Sequence, residues 1–108
     1  MFTKTHYYLY QAEIARWVDA DTVDCIVDLG FNIKAHHRFR LLGINAPEKR
    51  TEEGKKAKAY VEEAYPVGTA VVLESYKQGK FGRWLAKVIC NDIIVNEDLI
   101  RSGFAVEY

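Results

Sequence analysis

One change of period limits what this chain can fold into. Ala57, Tyr60, Val61, Ala64 and Tyr65 recur at helical spacing and share one face. Everything before and just after them reads as strand. Tyr8 to Val18 is rich in aromatic and β-branched residues, and Asp19-Ala20-Asp21 interrupts it. Val23, Cys25, Val27 and Leu29 then alternate with Asp24, Ile26 and Asp28, the pattern of a half-buried strand. Gly30 marks a turn, and 31–44 returns as a third strand that Pro47 stops.

Thr51 is placed to cap the helix, with Glu52 and Glu53 at the positive end of its dipole. Pro66 and Gly68 end it. Thr69 to Ser75 and Arg83 to Cys90 read as two more strands, and Asn91-Asp92 as a tight turn. Asn96 is expected to cap a short helix carrying Leu99 and Ile100, with Gly103 as its stop. The order is three strands, a helix, two strands and a short helix. That is the order of a five-stranded OB-type Greek-key barrel, mainly β with helices (α+β), although other small α+β folds share it.

The length suits one domain, residues 1–108, with a single modest core. No apolar run is long enough to span a bilayer. The opening MFTKTHYYLYQAEIARW lacks the basic, apolar and small-residue succession of a secretory leader, so the expected location is cytoplasmic. Cys25 and Cys90 are far apart and have no CxxC partner, so two reduced core thiols are expected. His6, His36 and His37 show no metal-ligand spacing with them. Basic and acidic residues balance at 15 each. A tight, phosphate-gripping coat protein is therefore excluded, and any basic surface must be local.

Several residues could carry chemistry. Asp19 and Asp21 form a carboxylate pair, the oxygen chemistry that hard cations choose; an exposed turn would also suit them. Arg40 stands in an apolar strand between Phe39 and Leu41, as a buried guanidinium seeking a partner or as a snorkelling one. Asn45 and Glu48 flank Ala46-Pro47, a rigid turn that can present side-chain oxygens and the Ala46 carbonyl. Arg83 follows Gly82 at a strand start and can fork onto a phosphate. Lys80-Phe81 beside it pairs a cation with an aromatic, a combination suited to nucleic acid.

Four blocks in order resemble the staphylococcal nuclease (thermonuclease) family: VDADTV at Val18 to Val23, FRLLGINAPE at Phe39 to Glu48, GKFGRWLA at Gly79 to Ala86, and VNEDLIRSGFA at Val95 to Ala105. The resemblance covers nearly the whole chain after its first residues. It implies an OB-type barrel and a metal-dependent phosphodiesterase, an endonuclease cutting DNA or RNA with little sequence choice. It also implies a role for each matching position. Asp21 matches a direct Ca²⁺ ligand, Asn45 stands where the family has a second aspartate, and Ala46 where a backbone carbonyl meets the metal. Glu48 matches the general base, and Arg40 and Arg83 the phosphate-binding arginines. Asp19 matches an acidic neighbour outside the metal's direct ligands. Phe81, next to Lys80, falls where the family has a nucleotide-side aromatic, and Tyr108 near a base-stacking aromatic.

Three departures accompany the resemblance. The Asn45 amide removes one charge, so Ca²⁺ is expected to bind more weakly than at a two-aspartate site, with Mg²⁺ a second candidate. Ala20 replaces a glycine and would be strained if its φ were positive. Relatives often continue past the point where this sequence stops. The expected partners are a DNA or RNA substrate and no membrane, with a monomer as the working state. The competing reading is a catalytically weak or inactive nucleic-acid-binding module of the same fold.

Overall fold

A computed structural model describes residues 7–76 and 83–108. Five long strands carry the architecture: β1 (Tyr7–Asp19), β2 (Thr22–Asp28), β3 (Lys34–Leu41), β5 (Ala70–Tyr76) and β6 (Trp84–Cys90). Three two-residue strands, β4 (Ile44–Asn45), β7 (Ile93–Ile94) and β8 (Val106–Glu107), fill in around them. Helix α1 (Glu52–Ala64) lies between β4 and β5, and α2 (Val95–Arg101) follows β7. The main sheet runs β3-β2-β1-β5-β6-β7, and a parallel β3–β6 pairing closes the five long strands into a barrel. The helix between the third and fourth long strands is the OB-type arrangement that the periodicity predicts.

The thirteen-residue β1 makes closure possible. Its first half pairs with β5 from Tyr7 to Glu13, and its second with β2 from Ala12 to Asp19. Register shifts between Ile14 and Arg16, and again between Trp17 and Asp19, bend it from one neighbour to the other. Alternation along β2 buries Val23, Cys25 and Val27, which meet Ile14, Leu41, Leu73 and Val88 in the core. Burial pushes the Cys25 thiol up to about 12, so it stays protonated. Cys25 and Cys90 are both free, as expected.

Thr51 caps α1, its hydroxyl accepting from the Gly54 N–H at 2.9 Å. The buried face is Gly54, Ala57 and Val61, continued by Tyr65 just past the helix; Ala64, assigned to that face by spacing, is exposed. Trp17 anchors the helix end by donating its indole N–H to the Tyr65 carbonyl at 2.9 Å. Two further expectations need correction, and a third question closes. The third strand begins at Lys34, because Phe31 and Asn32 take positive φ in the turn, and it ends at Leu41, with Ile44–Asn45 a separate strand. Asn96 is not a cap: Ile94 is the N-cap residue, and Asn96 is buried inside α2. Its amide donates to the carbonyls of Leu42 and Ala86, and its oxygen accepts from the Val88 N–H. Ala20 has no positive φ and is 1% exposed, so its methyl packs rather than strains.

The two helices are joined through Asp98. Tyr60 and Tyr65 each donate a hydroxyl to its Oδ2 at 2.6 Å, and Ser102 donates to Oδ1 at 3.2 Å. Burial opposes the charged form of Asp98, but the bonds from Tyr60, Tyr65 and Ser102 together outweigh it and hold the carboxyl below its usual range. A depressed carboxyl contributes stability above its unfolded pKa of about 3.9 and loses it as pH falls through the folded value. The denaturation midpoint should therefore fall below about pH 4, and Asp98→Asn should flatten that fall. Equal slopes in the two proteins by urea titration at stepped pH would rule Asp98 out as the cause.

Candidate active site

The Asp19–Asp21 turn, the end of β3, the β4 loop and the start of β6 meet at one side of the barrel. Antiparallel pairing of β2 with β3 sets Thr22 opposite Arg40, and the Asp21 carbonyl accepts from the Leu41 N–H at 2.8 Å. The parallel step from β3 to β6 sets Arg40 beside Leu85, bringing the start of β6 alongside. A cleft of about 470 Å³ results, lined by Asp19, Thr22, Arg38, Arg40, Arg83 and Trp84, with Val18 behind them.

Arg40 is the hub. Its Nη1 lies 2.7 Å from Asp21 Oδ2, with side chains 15% and 9% exposed. Its Nη2 donates to the Ile44 carbonyl at 3.2 Å and to Asn45 Oδ1 at 3.1 Å. Asp21 Oδ2 also accepts from the Ala46 N–H at 2.9 Å, and Oδ1 accepts from the Thr22 hydroxyl at 3.2 Å. A buried carboxylate needs such partners, since desolvation of an unpaired charge is costly. The oxygens of Asp21 and Asn45 thus converge on positive charge, here a guanidinium. Among the described residues, Nη2 makes both donations and Nη1 faces Asp21, so the fork of five N–H donors can still engage a further acceptor.

The other sequence candidates fall at different distances from this hub. Arg83 lines the cleft and is exposed. Asp19 also lines it, and its Oδ1 is buried with no hydrogen-bond partner among the described residues. Ala46 engages Asp21 through its N–H. Glu48 is exposed at the end of the loop. Its backbone is held tightly, because its carbonyl accepts from both the N–H and the hydroxyl of Thr51 at 3.0 and 2.7 Å. Gly54 adds to that restraint: a methyl group there would lie 1.7 Å from the Glu48 carbonyl oxygen. Tyr108 sits over Arg40, its ring centroid 5.6 Å from the guanidinium carbon, and its N–H donates to the Gly43 carbonyl. Lys80 and Phe81 lie outside the described residues.

Spacing alone did not bring out four contributors. Thr22 supports Asp21, and Gly54 lets α1 approach Glu48. Arg38 and Trp84 line the cleft. A signal existed for Arg38, which stands two residues before Arg40 and so shares its strand face. Gly54 carries no such signal, because its constraint comes from a loop folded against it.

The donors suit a hard cation rather than a soft one. Asp21, Asn45 and Asp19 offer oxygen only, and the unpartnered, buried Asp19 Oδ1 is the group that a cation would satisfy. Among the described residues, no cluster of three or more His, Cys, Asp or Glu side chains is placed to hold a metal ion. Among them, no helix is long and apolar enough to cross a membrane.

Residues 38–108 match the family model described as staphylococcal nuclease homologue. The chain is 31% identical over 72 residues to a "Probable staphylococcal-like nuclease" of Oryza sativa subsp. japonica, an alignment covering 67% of this chain and 22% of that protein. It is 27% identical over 96 residues to an "Uncharacterized endonuclease" of Escherichia coli O157:H7, covering 88% of this chain and 59% of that one. It thus spans less than two thirds of either relative's length. The family match runs from Arg38, within β3, through the Asn45–Glu48 loop, both helices and β6 to the last residue, and on that ground the chain belongs to the staphylococcal nuclease family.

Proposed function

We propose that this protein hydrolyses phosphodiester bonds of DNA or RNA, with little sequence preference and with help from a divalent cation. The observation that carries the reading is the Arg40 hub. One guanidinium is braced by Asp21 and Asn45 and shares a cleft with Arg83. Two forked cations on one cleft wall suit the equatorial oxygens of a phosphate that gains negative charge in the transition state. Asp21 fixes the direction of Arg40, so little reorganisation is needed at the moment of reaction. Glu48, on a loop pinned by Thr51, would orient a water and take its proton. Tyr108 would offer a ring beside the phosphate.

Asp21, Asn45, the Ala46 carbonyl and Asp19 would hold the cation, with water and the substrate's phosphate completing its shell. Such a cation, when bound, supplies charge compensation and a more acidic water. Asn45→Asp should tighten Ca²⁺ binding measured by calorimetry, because ligand charge count sets affinity. The gain is limited by Arg40, which would pair more strongly with the new carboxylate. Unchanged affinity would remove position 45 from the ligands.

The direct test incubates the protein with single-stranded DNA and with RNA, each with Ca²⁺, Mg²⁺ or chelator, beside Glu48→Ala. Cleavage that requires the cation and Glu48 is expected. Binding without cleavage in every condition would select the inactive-module reading instead.

A further inference from the structure

The cleft does not end at the arginines. Trp84 lines it and also lines a second groove of about 140 Å³, together with Tyr10, Val27, Leu29, His37, Phe39 and Ser75. The two spaces therefore meet at one indole. The β3–β6 register sets Trp84 opposite Phe39. Alternation along β3 puts Arg38 and Arg40 on one face, and His37 and Phe39 on the other. His37 and Phe39 meet edge to face at 6.4 Å. Trp84 is 39% exposed and Leu29 is 46% exposed, so this edge of the barrel presents ring and apolar surface to solvent.

Charge shows what such a surface is for. Arg38 forks onto Asp24 at 2.7 and 3.2 Å, and Arg40 is paired with Asp21. The whole chain has no net charge. With Arg38 and Arg40 both paired and no surplus of positive charge over the chain, counterion release supplies a limited part of the affinity for a polyanion at the described residues. Stacking is the remaining source of affinity, and it tolerates any sequence because every base has a π face.

We infer that Trp84 is a stacking platform for the single-stranded nucleic acid whose phosphate enters the Arg40–Arg83 cleft, and that the neighbouring base continues into the groove of Tyr10, His37 and Phe39. The inference rests on the proposed phosphate site, and it adds that the strand must be unpaired, since a duplexed base cannot offer its face. Arg38 would exchange part of its exposed Asp24 pairing for the next phosphate, a small loss because exposed pairs contribute little.

Fluorescence tests this separately from cleavage. The chain has two tryptophans, and Trp17 is 2% exposed with its indole N–H bonded, so surface-sensitive emission comes from Trp84. Titration with oligothymidylate of about ten nucleotides, in chelator, should quench that emission and shield it from acrylamide. The salt slope should be shallower than about −2, the value for some three phosphates on a single strand. Trp84→Ala should weaken binding by roughly tenfold or more, and Trp84→Phe should restore most of it. With cation present, Trp84→Ala should raise KM for the same oligonucleotide far more than it lowers kcat.

An unquenched wild-type tryptophan in the presence of bound oligonucleotide would overturn the inference, even if Trp84→Ala failed to fold. So would equal affinity for duplex and single strand, or a steep salt slope. Quenching without cleavage would keep the platform and reject the hydrolase. Cleavage with no dependence on Trp84 would do the reverse.

Discussion

Arg40→Ala is expected to cost the folded state about 3–5 kcal/mol and to lower phosphodiester turnover by at least about 10²-fold. The two losses have one origin. Asp21 is 6% exposed, and its compensating charge is Arg40, 2.7 Å away. Removing the guanidinium leaves a buried carboxylate with, among the described residues, the Ala46 N–H and the Thr22 hydroxyl. Beyond the phosphate-binding role that the resemblance implies, the contacts of Arg40 show that it also neutralises the turn. A second substitution separates the effects. In Asp21→Asn/Arg40→Ala the stranded charge is gone, so much of the stability should return while activity stays low. Arg40→Lys should keep charge but not the fork that spans Asp21, Asn45 and a phosphate, so it should rescue folding better than turnover. Denaturant midpoints and initial rates measure both. A wild-type midpoint for Arg40→Ala would show that the Asp21 pair contributes nothing.

Arg83→Ala and Glu48→Ala should behave differently. Both side chains are exposed, so each midpoint should stay within about 0.5 kcal/mol of wild type. Turnover should nevertheless fall by about 10²–10³-fold for Arg83→Ala, the usual loss when one donor to a developing oxyanion is removed. The fall for Glu48→Ala should be of the order of 10²–10⁴, the range for a positioned base, and should shrink at high pH where hydroxide is more abundant. Near-normal turnover from a folded Arg83→Ala protein would remove Arg83 from the site. If Glu48→Ala kept wild-type rates across the pH range, the base would have to be sought elsewhere.

The resemblance to the nuclease family was readable because its blocks are local. VDADTV and FRLLGINAPE each bring their residues together over a few positions, where turn and strand geometry leave little choice. The helix was readable for the same reason: Thr51, Ala57, Val61 and Tyr65 follow from capping and a 3.6-residue period. Errors arose where distant chain segments decide the outcome. Asn96 looked like a cap because asparagine often is one, yet the carbonyls of Leu42 and Ala86 and the N–H of Val88 claim its amide inside the molecule. Ala64 fell on the helical stripe but lies past the edge of the surface that covers α1.

What the order of residues determines alone is the main elements, the OB-type succession and the chemical types available: three carboxylates, an amide and two arginines in fixed blocks. Which of these atoms touch is a long-range matter. Arg40 meets Asp21 across nineteen positions because β2 and β3 pair in one register, and a shift of one residue would turn the guanidinium to the other face. Trp84 reaches the same cleft only because the barrel closes through β3 and β6. Local patterns record what a short stretch prefers; side-chain partners are set by closure, burial and the need to satisfy each buried charge, and those conditions exist only once the barrel has formed.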